Sequence, residues 1–126
     1  MKFFEPMRVP TATQQEHGVD WKRRRFYDKP EWAAAKDTWT AHMERHRPDA
    51  PAERGVIFSV VFCFPLDGHA DGEPHVGKPD TDNLVKGLKD VLTRLGYWKD
   101  DRQVFSEHVT KIHSRVEGVE IEITEI

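Results

Sequence analysis

KPDTDNLVKGLKDVLTRLGYWKDDRQV, residues 78–104, is the stretch that decides how the rest of the chain must fold. Leu84, Leu88, Val91, Leu92 and Leu95 recur at the three- and four-residue spacing of an apolar helix face, while Asp82, Lys86, Lys89 and Asp90 fall largely opposite. The spacing predicts a helix of roughly four turns, about 24 Å long at about 1.5 Å per residue. Pro79 fits just ahead of it, Asp80, Thr81 or Asp82 can cap its first amides, and Gly96 is the expected stop. Acid crowds both ends: Asp80 and Asp82 at the start, Asp100 and Asp101 at the finish. The helix is expected to bring these ends into one site. Two helical residues at positions 80 and 82 would point about 200° apart, so a strand-like approach up to the cap is needed for both acids to share a side.

Upstream, Gly55 to Phe64 (GVIFSVVFCF) is a continuous β-branched and aromatic run, which predicts a central strand covered on both faces. Pro65 to Lys78 is a long Gly/Asp/His loop that delivers the chain directly to Asp80, and connections of this length are usually functional or mobile. His69 and His75 within it read as exposed bystanders or as groups facing a substrate. Downstream, Gln103 to Ser114 should be a strand, and Val119, Ile121 and Ile123 alternate with Glu120, Glu122 and Thr124 as a final strand with one wet face after a turn near Glu117 and Gly118.

Nearer the N-terminus, Met1 to Arg8 reads as a short first strand and Pro10 to Asp20 as a polar loop. Lys22, Arg23, Arg24 and Arg25 follow, framed by Trp21, Phe26 and Tyr27; they read as phosphate contacts with stacking aromatics, or as an edge strand or loop protected by charge. Asp28 or Lys29 before Pro30 and Glu31 is a helix start, and Trp32, Ala35, Trp39 and Met43 form the buried stripe of a helix running to about Arg47. His42 and His46 lie one turn apart on it, but the zinc-protease arrangement needs Glu directly after the first His, and Met43 stands there. Surface histidines are the better reading. The order β, β, α, β, α, β, β predicts one α+β domain over residues 1–126, with two main helices on a mixed sheet. One face of that sheet is left for function or for a partner.

At 126 residues the chain can build one core of two or three layers. Its 19 Lys and Arg against 22 Asp and Glu leave it slightly acidic, which is unlike most nucleic-acid binders, though part of the excess is the aspartate cluster that a divalent cation would offset. The single cysteine, Cys63, excludes a disulfide framework and makes a reducing cytoplasm the natural compartment. Glu5 and Pro6 interrupt any signal-peptide core, and the longest apolar run is far short of a membrane span.

Mg²⁺ wants oxygen ligands, keeps several waters and is typically held by one or two carboxylates plus substrate phosphate oxygens. Asp80, Asp82 and Asp101 supply that ligand type from two places in the chain, and Lys86, one turn after Asp82, is placed to meet charge growing on a phosphate. The same residues also read as helix caps, as an i,i+4 pair and as a polar turn. Pro79-Asp80 opens like the PD-(D/E)xK nuclease pattern, but no acid-x-lysine element follows on a strand.

Asp80-x-Asp82-Asn83-Leu84-x-Lys86, then Asp90, then Gly96-Tyr97-Trp98-x-Asp100-Asp101-x-Gln103-Val104, resembles the RusA family of Holliday junction resolvases, common in phages and prophages. Weaker agreement extends to Phe26–Trp39 and the closing strands, so most of the chain is covered. The resemblance implies a homodimeric, Mg²⁺-dependent endonuclease, with Mn²⁺ as a substitute ion, that nicks two opposed strands of a four-way junction in the cytoplasm of a bacterial host. It carries the metal-binding catalytic aspartates onto Asp80, Asp82 and Asp101, the catalytic lysine onto Lys86, and a neighbouring acid onto Asp100. Family members can carry arginines just before the first catalytic aspartate. Here the acidic, histidine-bearing loop Asp67 to His75 stands instead, with Lys78 alone remaining. DNA contacts are then expected from Lys22 to Arg25, Lys78, Lys86 and Lys89. A less selective nuclease of flaps and forks, and a catalytically silent junction binder, are the alternatives.

Overall fold

The fold is that of a computed structural model, which describes residues 1–13, 17–20, 25–28 and 30–126, with backbone alone for 17–20 and 25–28. Nine apolar or near-apolar residues in a row form β4, Val56–Phe64, and their uniformity places this strand in the middle of a four-stranded sheet. The sheet order is β1 (Lys2–Pro6), β6 (Gly118–Glu125), β4, β5 (Val104–His113). β6 runs antiparallel to both β1 and β4, whereas β4 and β5 are parallel, so the sheet is mixed. Parallel neighbours need a long crossover, and here the loop after β4 and helix α2, Thr81–Arg94, provide it. Together with α1, Pro30–Glu44, this makes the α+β domain with two helices that the sequence predicts.

Both helices bury the stripes expected of them. Trp32, Ala35, Trp39 and Met43 are the buried residues of α1, and Leu84, Val85, Leu88, Val91 and Leu92 are buried on α2. They close over one face of the sheet, where Trp39 meets Phe62 edge-on at 6.0 Å and Trp98 meets Phe58 at 5.5 Å. Gly87 allows the two helices to approach: a Cβ there would stand 2.7 Å from the buried Trp32 ring. Gly96 ends α2 as expected, at φ 83°, with its amide on Thr93 O and the Tyr97 amide on Leu92 O, the paired bonds of a Schellman stop. The Tyr97 hydroxyl then donates to Met43 O at 2.6 Å, pinning the end of α2 to the end of α1.

Three features differ from expectation. The other face of β4 is not fully covered, because Ile57, Ser59 and Val61 alternate as half-buried residues with buried neighbours; uniform apolarity does not report which face is capped. His17–Asp20, read as loop, is a strand (β2) paired antiparallel with β3, Arg25–Asp28. Its HGVD carries no apolar alternation, so cross-strand pairing alone defines it. His42 and His46 are also not idle surface groups. Both bind the buried carboxylate of Glu5, at 2.6 and 2.7 Å, with Arg45 at 3.4 Å. Burial pushes the Glu5 carboxyl up, but the bonds from His42 and His46 and the charge of Arg45 outweigh it and hold it below its ordinary value.

Candidate active site

α2 begins where an extended backbone gives way to helix. Asp80 is the N-cap residue, at φ −65° and ψ 153°, so the strand-like approach needed for two acids to share a side is present. Its side chain makes no capping hydrogen bond. Asp82 follows in the first turn and Lys86 one turn later, and Asp80, Asp82 and Lys86 are all exposed. Lys111, from β5, donates to Gly77 O and, at 2.8 Å, to Pro79 O, fixing the backbone immediately before Asp80. Lys111 carries no signal of this role in the sequence, since no local pattern links position 111 to position 79.

The two acids at the far end are used differently. Asp100 caps the short 3₁₀ turn Asp101–Gln103: it accepts from the Arg102 amide at 2.8 Å and pairs with the Arg102 guanidinium at 3.1 Å. The Gln103 side chain accepts from the Asp100 amide and donates to Ala52 O and Arg54 O, which ties the turn to the segment before β4. The bonds from Arg102 hold the Asp100 carboxyl below the usual carboxylate range. Asp101 is exposed, and it shares an open groove of about 310 Å³ with Asp90, Thr93, Arg94, Lys99 and Asp100.

Asp101 therefore stands beside the C-terminal half of α2, and Asp80 and Asp82 stand at its start. The eight helical steps from Asp82 to Asp90 span about 12 Å. Within one chain the helix keeps these ends apart. Among the described residues, the group whose metal-ligating atoms all lie within 4.8 Å is a different one, His69, Glu73 and His113. As for the expected DNA contacts, Lys78 and Lys86 are exposed, whereas Lys89 is occupied by Glu107 at 3.1 Å. Lys22 to Arg24 and the side chain of Arg25 lie outside the described residues.

The loop leading to Asp80 is laid along the free edge of β5. Gly72 N donates to His113 O, His113 N to Glu73 O and His75 N to Lys111 O, at 2.7–3.0 Å, so the loop covers backbone groups that an edge strand would otherwise present. His75 stacks on Phe64 at 4.2 Å rather than lying exposed, and burial, with the charges of Lys111 and His113, lowers its pKa.

Oxygen donors without competing softer ligands suit a hard divalent cation, so the chemistry of Asp80, Asp82 and Asp101 fits Mg²⁺. No helix among the described residues is long and apolar enough to cross a membrane. Residues 8–124 match the family model described as endodeoxyribonuclease RusA. Over the full length of both chains, the protein is 31% identical to the crossover junction endodeoxyribonuclease rusA of Lactococcus phage r1t. It is 32% identical to the corresponding protein of Enterobacteria phage 82 over 58% of this chain and 62% of that one. A segment of 49 residues is 51% identical to the uncharacterized protein YqaN of Bacillus subtilis, covering 39% of this chain and 34% of YqaN.

Proposed function

This chain belongs to the RusA endodeoxyribonuclease family, and from that premise we propose that it resolves four-way DNA junctions by paired, Mg²⁺-dependent nicks. The observation that carries the reading is the state of the DxDNLxK segment: Asp80 is at the helix cap with no capping bond, and Asp82 and Lys86 are exposed one turn apart. Carboxylates employed only as caps would be turned onto the helix amides.

Asp80 and Asp82 would hold the cation, matching the one or two carboxylates Mg²⁺ takes beside its waters, and the family resemblance assigns Asp101 to the same metal-binding set. Bound there, the cation supplies Lewis-acid polarisation of the phosphodiester and acidifies the attacking water. Lys86 meets the negative charge that accumulates on the phosphate oxygens. Lys111 acts as a positioning residue, since it holds the Pro79 carbonyl next to Asp80. Lys78 and the Lys22–Arg25 run contact backbone phosphates. The enzyme acts as a homodimer, because a two-fold pair presents two equal sites to a near-symmetric junction, and it works in the cytoplasm of a bacterial host.

A second reading, a nuclease of flaps and forks with little preference for junctions, is favoured by the acidic loop that replaces arginines before Asp80. Labelled four-way junction, flap, fork and linear duplex incubated with Mg²⁺ or with EDTA separate the two. Metal-dependent incision concentrated in the junction supports resolution; equal cutting of all branched forms supports the second reading. Binding without incision under any divalent ion would make the protein a silent junction binder.

A further inference from the structure

We infer that the loop 65–78 and the end of β5 form a site for one divalent transition-metal ion such as Zn²⁺, held by His69, Glu73 and His113, which fastens the loop that leads to Asp80. The inference is independent of the nuclease reading, because none of these residues belongs to the aspartate set.

Ligand-type atoms of all three residues lie within 4.8 Å of one another. His69 Nδ1 hydrogen-bonds the Glu73 carboxylate directly, so the two groups already face one another and a cation would take the place of the shared proton. His113 is buried, and its Nδ1 lies 2.8 Å from Pro65 O. A carbonyl oxygen can only accept, so Nδ1 donates, and Nε2 is the atom left to bind a metal when the ring is neutral. A backbone carbonyl on the remote nitrogen is also how metal-bound histidines are usually oriented. The His69 and His113 rings lie 3.9 Å apart, and His75 stands 4.8 Å from His113 with its Nδ1 buried and without a hydrogen-bond partner among the described residues. An unpaired buried ring nitrogen is costly, so this corner of the loop is one where polar groups are left unsatisfied.

Two imidazoles and one carboxylate, with solvent in the fourth position, make the nitrogen and oxygen set of tetrahedral Zn²⁺; Mg²⁺ would reject the imidazoles. His113 is fixed in the sheet and sets the position, while the exposed His69 and Glu73 can swing onto the ion. Because His69 and Glu73 come from the loop and His113 from β5, one ion would join the two segments.

The test is Zn²⁺ uptake by metal-stripped protein with Mg²⁺ in excess, read by calorimetry and by the visible spectrum of a Co²⁺ derivative, with hydrogen exchange over residues 65–78. Expected are one ion per chain, a tetrahedral Co²⁺ spectrum and slower exchange in the loop. His69→Ala and Glu73→Gln alter exposed side chains, and each should weaken binding at least about tenfold with circular dichroism unchanged. Asp82→Asn should leave uptake intact. Failure of the wild type to bind, or binding undiminished in both loop variants, would overturn the site; binding without slower loop exchange would overturn its fastening role.

Discussion

Asp100 and Asp101 are neighbours in sequence with opposite employment, and the difference is testable. Asp100 is committed to the Arg102 and Gln103 cap, whereas Asp101 opens onto the groove. Asp100→Asn is expected to lower the melting temperature while keeping cleavage at temperatures below it; Asp101→Asn should keep the melting temperature and lose cleavage. Asp82→Asn should abolish cutting and leave junction binding equal or tighter, as measured by gel shift, because a proposed metal ligand and a repulsive charge disappear together. Lys86→Ala should lower the single-turnover rate more than it weakens the Mg²⁺ dependence, and normal cleavage would reduce Lys86 to a solvated lysine. Glu5 makes a prediction about pH. Its carboxyl is held below the unfolded value of 4.5, so the stability it contributes is complete above that pH and is lost as pH falls through the folded value. Glu5→Gln should be less stable at neutral pH, by about 1–3 kcal/mol for lost charged hydrogen bonds. Between pH 5 and 3 its melting temperature should fall less than that of the wild type, and parallel curves would contradict the assignment.

Elements were legible wherever a repeating pattern had to satisfy one surface. The leucines of α2, the Trp32-to-Met43 stripe of α1 and the stop at Gly96 all report a local rule, and each appears in the structure at the residues that carry it. What local rules cannot carry is which distant residue completes an element. Gly87 is an unremarked glycine in the sequence, yet it is where Trp32 of the other helix lies. Gly87→Val should therefore destabilise the protein by roughly 1–3 kcal/mol, as overpacking does, and Leu88→Ala by roughly 2–5 kcal/mol through the cavity left behind. Denaturant melts check both. Glu5 with His42 and His46, Lys111 with Pro79, and His113 with His69 were hidden for the same reason: each joins a strand to a helix or loop far along the chain.

At the scale of the whole molecule, the motif residues were readable but their mutual placement was not. Helix α2 separates Asp82 from the groove that Asp101 lines, although acid at both ends of the segment had suggested that the ends would meet. The acidic loop stands where positive charge would favour phosphate, so junction binding should be weak and confined to lower salt than in a chain with arginines there. The two-site claim is tested most directly on a supercoiled plasmid that extrudes a cruciform. One nick relaxes the plasmid and reabsorbs the junction, giving an open circle, whereas two nicks within the lifetime of one complex give a linear product. Linear plasmid is expected with Mg²⁺, and uncut plasmid with EDTA or with Asp82→Asn. Open circles alone, or linear product from the Asp82→Asn protein, would contradict it.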